Sequence, residues 1–115
     1  MKFADSGHEK RYQELAAICQ FTAGEKDFAA ALFLLSSPLL AWKSDVTKHV
    51  RPGSIIFSKL MKKIGPWSGS EKVLVKLAAA LYNSNWKVDV NDVFWSLDAG
   101  NAEIALEALR IRFQR

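Results

Sequence analysis

Cysteine and histidine are scarce in this chain, which has one cysteine, Cys19, and two histidines among 115 residues. A single cysteine permits no internal disulfide and is typical of a reducing cytoplasm. A structural zinc site with so few Cys and His residues would need several carboxylate ligands, which is unusual. The first residues run directly into charged side chains and predict no export signal. We therefore expect a cytoplasmic protein without a metal or another cofactor.

Long hydrophobic runs are also lacking. The most apolar stretch, residues 28–42, is interrupted by Pro38 and is shorter than the roughly 20 residues that span a bilayer. We therefore expect no membrane contact, and a buried helix followed by a bend explains this stretch. With 50% hydrophobic and 24% charged residues, the composition is typical of a globular protein. The length predicts one domain, residues 1–115.

Capping patterns and apolar periodicity predict helices along most of the chain. Ser6–Glu9, Thr22–Glu25 and Ser68–Glu71 each have the spacing of a capping box, in which a hydroxyl and a Glu side chain satisfy backbone N–H groups at a helix start. Residues 28–35 are apolar nearly all round, which indicates a central helix covered on most sides.

The remaining segments complete an all-α prediction. Ser37 is predicted to cap a short helix that begins at Pro38. After a turn at residues 51–53, Ser54 to Ile64 is predicted as one helix, and the row Leu74, Leu77, Leu81 as the inner face of the next, packed against the last helix. No strand pair is convincing. The sequence thus predicts a single compact bundle of five to six short helices.

Several blocks of the sequence are similar to a known family. They are Gly7–Leu15, Ser68–Leu74, Leu81–Asn83, Leu97–Asn101 and Arg110–Phe113. Together they resemble a family of short, uncharacterised helical proteins from Gram-positive bacteria and their mobile elements. The resemblance implies a bacterial cytoplasmic helical domain, and it brings no catalytic motif and no function.

The residue pattern does not predict catalysis. His8 and Cys19 lie on one helical stripe but roughly 16 Å apart along the axis, beyond the reach of a nucleophile and its base. Asp89, Asp92 and Asp98 lack the spacing of a calcium loop, and helix caps explain two of them. We therefore expect no enzyme activity, no catalytic residues and no metal site.

The uneven distribution of charge is the most informative feature. Residues 28–67 carry six bases and one acid, whereas residues 68–115 carry six of each. The predicted binding residues lie in or beside the basic segment, residues 43–76: Lys59, Lys62 and Lys63 on one predicted helix face, Lys72 and Lys76 on the next helix, and the flanking Trp42 and Trp67. The helix start at Ser68 is a candidate anion site.

Two interpretations of this segment remain open. Either the lysines only solvate the bundle and the tryptophans close its ends, or they form a docking surface. The second interpretation predicts a non-enzymatic binding or regulatory protein that contacts an acidic protein, such as a mobile-element inhibitor of a host protein. The alternatives are a nucleic-acid-binding accessory protein that uses the basic helix face, and a small-molecule-binding helical bundle. Only Arg51 in residues 28–67 is an arginine, and this disfavours base readout.

Overall fold

The structure is a computed structural model that describes residues 1–114, and these residues are mostly helical. They form seven α-helices, one 3-10 turn and one antiparallel strand pair. The elements are α1 (Ser6–Cys19), α2 (Lys26–Leu35), the 3-10 turn (Pro38–Leu40), α3 (Ser44–Lys48), β1 (Val50–Arg51), β2 (Ser54–Ile55), α4 (Phe57–Leu60), α5 (Gly69–Tyr82), α6 (Val90–Ser96) and α7 (Ala99–Phe113). The helical class is confirmed, whereas the predicted helix number was too low.

Helix α2 lies at the centre of the fold. Every residue from Ala29 to Leu35 is buried, and helices α1, α5 and α7 pack around it. An apolar side chain at each of these positions can be buried only if neighbours cover every face of the helix. The prediction of a central helix is therefore confirmed. The inner face of α5 is buried as predicted, but α5 packs mainly on α2 and only in part on α7.

The helix starts confirm some of the predicted caps and correct others. Ser68 and Glu71 form the reciprocal capping box at the start of α5, and Asp98 caps α7. Helix α1 is capped by Asp5, whose Oδ1 accepts a hydrogen bond from the backbone N–H of His8 over 2.7 Å. Ser6 is therefore the first helical residue and not the cap. A carboxylate one residue earlier reaches the same free N–H groups.

A β-hairpin with strands of two residues each replaces the first part of the helix predicted for Ser54 to Ile64. In the ladder Val50 pairs with Ile55 and Arg51 with Ser54. Between the strands lies Pro52–Gly53, and Gly53 has a φ of 77°, which is typical of a turn with proline and then glycine at its two central positions. The backbone N–H of Ile55 donates a further hydrogen bond to the Tyr82 hydroxyl, 3.2 Å away. Residues 54–55 are thus held in the hairpin, and the predicted long helix is wrong.

Ser37 occupies the predicted cap position without making the predicted hydrogen bond. It precedes Pro38 at the start of the 3-10 turn, but its side chain caps no backbone N–H. Within residues 1–114 its buried Oγ has no hydrogen-bond partner. The neighbouring Ser36 differs, because its Oγ donates to the Leu32 carbonyl over 2.7 Å. The predicted short helix is therefore only a three-residue turn.

Candidate functional site

The first of two neighbouring cavities is lined by cations from α3, β1, α4 and the turn after α4. Its volume is about 560 Å³, and its lining residues are the bases Lys48, Arg51, Lys59 and Lys63 together with Asp45, His49 and Ile56. The His49 ring lies at the end of α3, where its Nδ1 is 2.6 Å from the Asp45 carbonyl oxygen. An N–H at Nδ1 therefore donates to a carbonyl of the last helical turn, which fixes the ring.

The second cavity is a groove beside α5. Its volume is about 480 Å³, and its lining residues are Lys72, Lys76 and Lys87 together with Met61, Ile64, Gly65 and Trp86. Lys72 and Lys76 are one helical turn apart, so they lie on the same face of α5. The groove has three cations and an apolar floor, and no carboxylate is among its lining residues.

Segment 59–65 forms part of both cavities. Lys59 and Lys63 line the first, whereas Met61, Ile64 and Gly65 line the groove. We call the seven bases of the two cavities the basic surface: Lys48, Arg51, Lys59, Lys63, Lys72, Lys76 and Lys87. The ion pairs within residues 1–114 are Lys43 with Glu71 and Glu107 with Arg110, and neither involves the basic surface.

Two of the three lysines that were predicted to share one helix face, Lys59 and Lys63, line the first cavity. Lys59 lies in α4, which ends at Leu60, whereas Lys62 and Lys63 lie in the tighter turns that follow. Lys62 is exposed but lines neither cavity. The prediction of one helix from Ser54 to Ile64 that carries all three lysines is therefore wrong, because α4 ends at Leu60.

The two predicted tryptophans lie in different environments. Trp42 is 93% exposed and lines neither cavity. Trp67 is half-buried and packs against the core. The Lys43 ammonium lies 4.8 Å from the centre of the Trp67 ring and 3.4 Å from Glu71 Oε1. Trp67 therefore belongs to a local cluster with Lys43 and Glu71.

The start of α5 is occupied by a carboxylate of the chain itself. The backbone N–H of Ser68 donates to Glu71 Oε1 over 2.9 Å, and the N–H of Glu71 donates to Ser68 Oγ over 3.3 Å. The first of these hydrogen bonds, assisted by the nearby Lys43 charge, lowers the pKa of Glu71. Glu71 thus already engages one N–H of the candidate anion site at Ser68, and the site stays a prediction.

Several residues that line the two cavities were missed by the sequence reasoning. Lys87 and Trp86 come from the link before α6, and Lys48 and Arg51 come from the segment that forms α3 and β1. A signal for Lys87 was present, because residues 86–90 alternate in polarity. In the structure Trp86 is half-buried and Lys87 is exposed, as such alternation indicates, although neither residue belongs to a strand.

The two residues considered for nucleophilic chemistry are both buried. Ala4 N–H donates to His8 Nδ1 over 3.1 Å, so the ring proton is on Nε2, which donates to the Phe33 carbonyl over 2.8 Å. Burial lowers the pKa of His8 and raises the pKa of the Cys19 thiol. These environments favour the neutral imidazole and the unreactive thiol.

Two further structural features concern metals and membranes. Over residues 1–114, no three His, Cys, Asp or Glu side chains are grouped closely enough to hold a metal ion. Asp89 and Asp98 instead accept hydrogen bonds from backbone N–H groups at the starts of α6 and α7. No helix in the same residues has both the length and the apolar composition to span a bilayer.

Comparisons with protein-family models, with curated proteins and with solved structures find no match to this chain. The resemblance to the Gram-positive family therefore stays a prediction. The fold and the site define a small helical protein with two cavities that are lined by seven bases, and its function is argued from these linings.

Proposed function

We propose that the protein is a non-enzymatic binding protein that acts by docking its basic surface onto an acidic protein. The observation that carries the proposal is the grouping of seven bases around one stretch of chain, with Asp45 as the single carboxylate that lines either cavity. Neither ion pair of residues 1–114 engages these bases. Complementary charge on a partner would speed and orient association.

The types of cation favour a protein over a nucleic acid as the partner. Six of the seven bases are lysines, and Arg51 is the exception. Direct readout of DNA bases relies mainly on Arg, Asn and Gln, whose groups form paired hydrogen bonds, although Lys also contacts guanine. The lysine ammonium is a point charge that binds anions without selecting a particular geometry. The alternative function is therefore a nucleic-acid-binding protein that holds the phosphate backbone without sequence preference.

The family resemblance and the buried His8 and Cys19 extend the proposal. The resemblance adds a bacterial cytoplasmic location and a host protein as the target of a mobile-element inhibitor. Burial of His8 and Cys19 supports a protein that works by contact, because neither side chain reaches a ligand at the surface.

Two labelled probes test this proposal by fluorescence anisotropy at low and at near-physiological salt: an oligoglutamate peptide and a mixed-sequence DNA duplex. We expect the peptide to bind more tightly than the duplex, and both to weaken as salt screens the charges. The triple variant Lys48→Gln, Lys59→Gln, Lys63→Gln neutralises exposed lysines of the first cavity. Its association with the peptide should be slower and less dependent on salt.

A matched triple variant controls for net charge. Lys2→Gln, Lys10→Gln, Lys26→Gln removes the same charge from exposed lysines that line neither cavity, so it should bind the peptide like the parent protein. Absence of peptide binding at low salt would contradict the proposal, as would equal loss in both triple variants. Tighter binding of the duplex would favour the nucleic-acid alternative.

A further inference from the structure

We infer that the groove beside α5 holds an acidic segment of the partner that carries one apolar anchor side chain. Carboxylates of the segment would meet the lysine rim, and the anchor would lie on the apolar floor. The inference rests on the proposed function and adds the element that the partner must present. Charge attraction alone would not favour the groove over the rest of the basic surface, whereas an apolar anchor would.

The floor of the groove is apolar and anchored in the fold. Ile64 is 4% exposed and belongs to the core, and the half-buried Met61 and Trp86 pack against that core. The backbone N–H of Trp86 donates to the Asn83 carbonyl over 3.0 Å, which closes the turn after α5. A flexible thioether beside an indole ring is a surface that adapts to apolar side chains, and both residue types are enriched at interfaces.

The rim of the groove carries charge that the described chain does not neutralise. Lys72, Lys76 and Lys87 line it, and no carboxylate does. The carboxylate nearest in sequence to Lys72 is Glu71, which is engaged by Ser68 and Lys43. Two lysines at i, i+4 repel each other, so their spacing on α5 does not help the helix to form. The spacing does suit an anion that bridges them, because both residues line the same groove.

The size and lining of the groove favour a peptide over a nucleotide chain. Its volume of about 480 Å³ is in the range of sites that enclose a small ligand or a side chain. Bases bind by stacking on aromatic faces, whereas two of the three floor residues, Met61 and Ile64, are aliphatic. The lining has no Arg, Asn or Gln to read a base edge. An apolar anchor between carboxylates matches both parts of the groove.

Two peptides of equal charge test the inference. One is an oligoglutamate with a central leucine, and the other has serine at the same position. We expect the leucine peptide to bind the full-length protein about tenfold more tightly, as burial of one aliphatic side chain predicts. In NMR spectra the indole N–H signal of Trp86 should shift on binding. The signal of Trp95, which is 92% exposed and lines neither cavity, should stay in place.

Two kinds of variant separate the rim from the floor. Lys72→Gln with Lys76→Gln should weaken both peptides by about two- to fivefold for each lysine and leave the preference for leucine. Trp86→Ala should remove that preference and keep binding of the serine peptide, with Trp95→Ala as the matched control. Should Trp86→Ala fail to fold, Met61→Gln places a polar group on the same floor and gives the same readout.

The outcomes distinguish failure of the inference from failure of the proposed function. Equal affinities for the leucine and serine peptides would overturn the anchor site, and the proposed function would stand because it requires only acidic binding. Binding of neither peptide would overturn both. A single-stranded oligonucleotide that binds more tightly than the leucine peptide and shifts the Trp86 signal would overturn both in favour of nucleic acid.

Discussion

His8 ties the N-terminal segment to the core through both nitrogens of its ring. Nδ1 accepts from the Ala4 N–H, and Nε2 donates to the Phe33 carbonyl. The Phe3 ring lies nearly perpendicular to the imidazole, with centroids 5.1 Å apart. A proton on Nδ1 would face the Ala4 N–H, so the native arrangement requires the neutral ring. Sequence reasoning placed His8 on an inner stripe, but the hydrogen bond to α2 follows only from helix packing.

This arrangement predicts that stability falls in mild acid. Burial, reinforced by Arg11, lowers the folded-state pKa of His8, whereas the unfolded chain takes up a proton near the ordinary value of about 6.5. Below that pH the unfolded state binds more protons, so the free energy of unfolding decreases by up to about 1.4 kcal/mol per pH unit. Urea unfolding between about pH 7.5 and about pH 5 measures the slope. His8→Gln should flatten it, and an unchanged slope would contradict the assignment.

The hairpin is the element that most changes the predicted architecture. It depends on Gly53, whose backbone N–H donates to the Cys19 carbonyl at the end of α1 over 2.7 Å. Strand β1 packs against α1 and α3, and β2 leads directly into α4. The hairpin therefore sets where α4 begins, and α4 in turn positions Lys59 at the first cavity.

Replacement of Gly53 by alanine should destabilise the protein through backbone strain alone. The φ of Gly53 is +77°, and no atom lies within 4 Å of the added Cβ. An L-residue in the left-handed region costs about 1–2 kcal/mol, and chemical denaturation should show a loss of this size. The matched variant Gly69→Ala has equally open space at a helix start and should be as stable as the parent protein or slightly more stable. Equal stability of the two variants would contradict this prediction, because it would show that a side chain at residue 53 does not strain the turn.

At the scale of the whole molecule, a single apolar helix organises the fold. Because α2 is covered by α1, α5 and α7, most polar side chains of the chain must lie on the outer faces of the surrounding elements. The bases of residues 28–67 follow α2 in sequence and lie mainly in short elements and turns. The positive charge of the chain is therefore concentrated in the short elements and turns between α2 and α5.

The burial of α5 against this core gives a stability prediction. Leu77 is 5% exposed, so Leu77→Ala should lower the free energy of unfolding by about 2–5 kcal/mol, since it removes buried methyl groups and leaves a cavity. Thermal or urea unfolding measures the loss. Leu106→Ala on α7 is the matched control. Because Leu106 is 36% exposed, this variant should lower the free energy of unfolding by about 1 kcal/mol or less. Similar losses would mean that the inner face of α5 is not where the structure places it.

Several parts of the fold that depend on neighbours within one or two helical turns were determined by the sequence. The all-round apolar surface of α2 predicted its central place, and the caps at Ser68 and Asp98 marked the starts of two helices. Each of these features is local, because a cap needs only N–H groups two or three residues away. Charge density likewise indicated four of the lysines that line the two cavities.

Only the tertiary structure decided the hairpin and the groove. Residues 54–55 have a helical alternative in sequence, and the hydrogen bond from Ile55 to the Tyr82 hydroxyl favours the strand. The groove joins segment 61–65 to Lys72, Lys76 and the 86–87 link, and these residues lie side by side only in the folded chain. Local propensity does not predict such contacts, because their free energy arises from surfaces that come together only on folding.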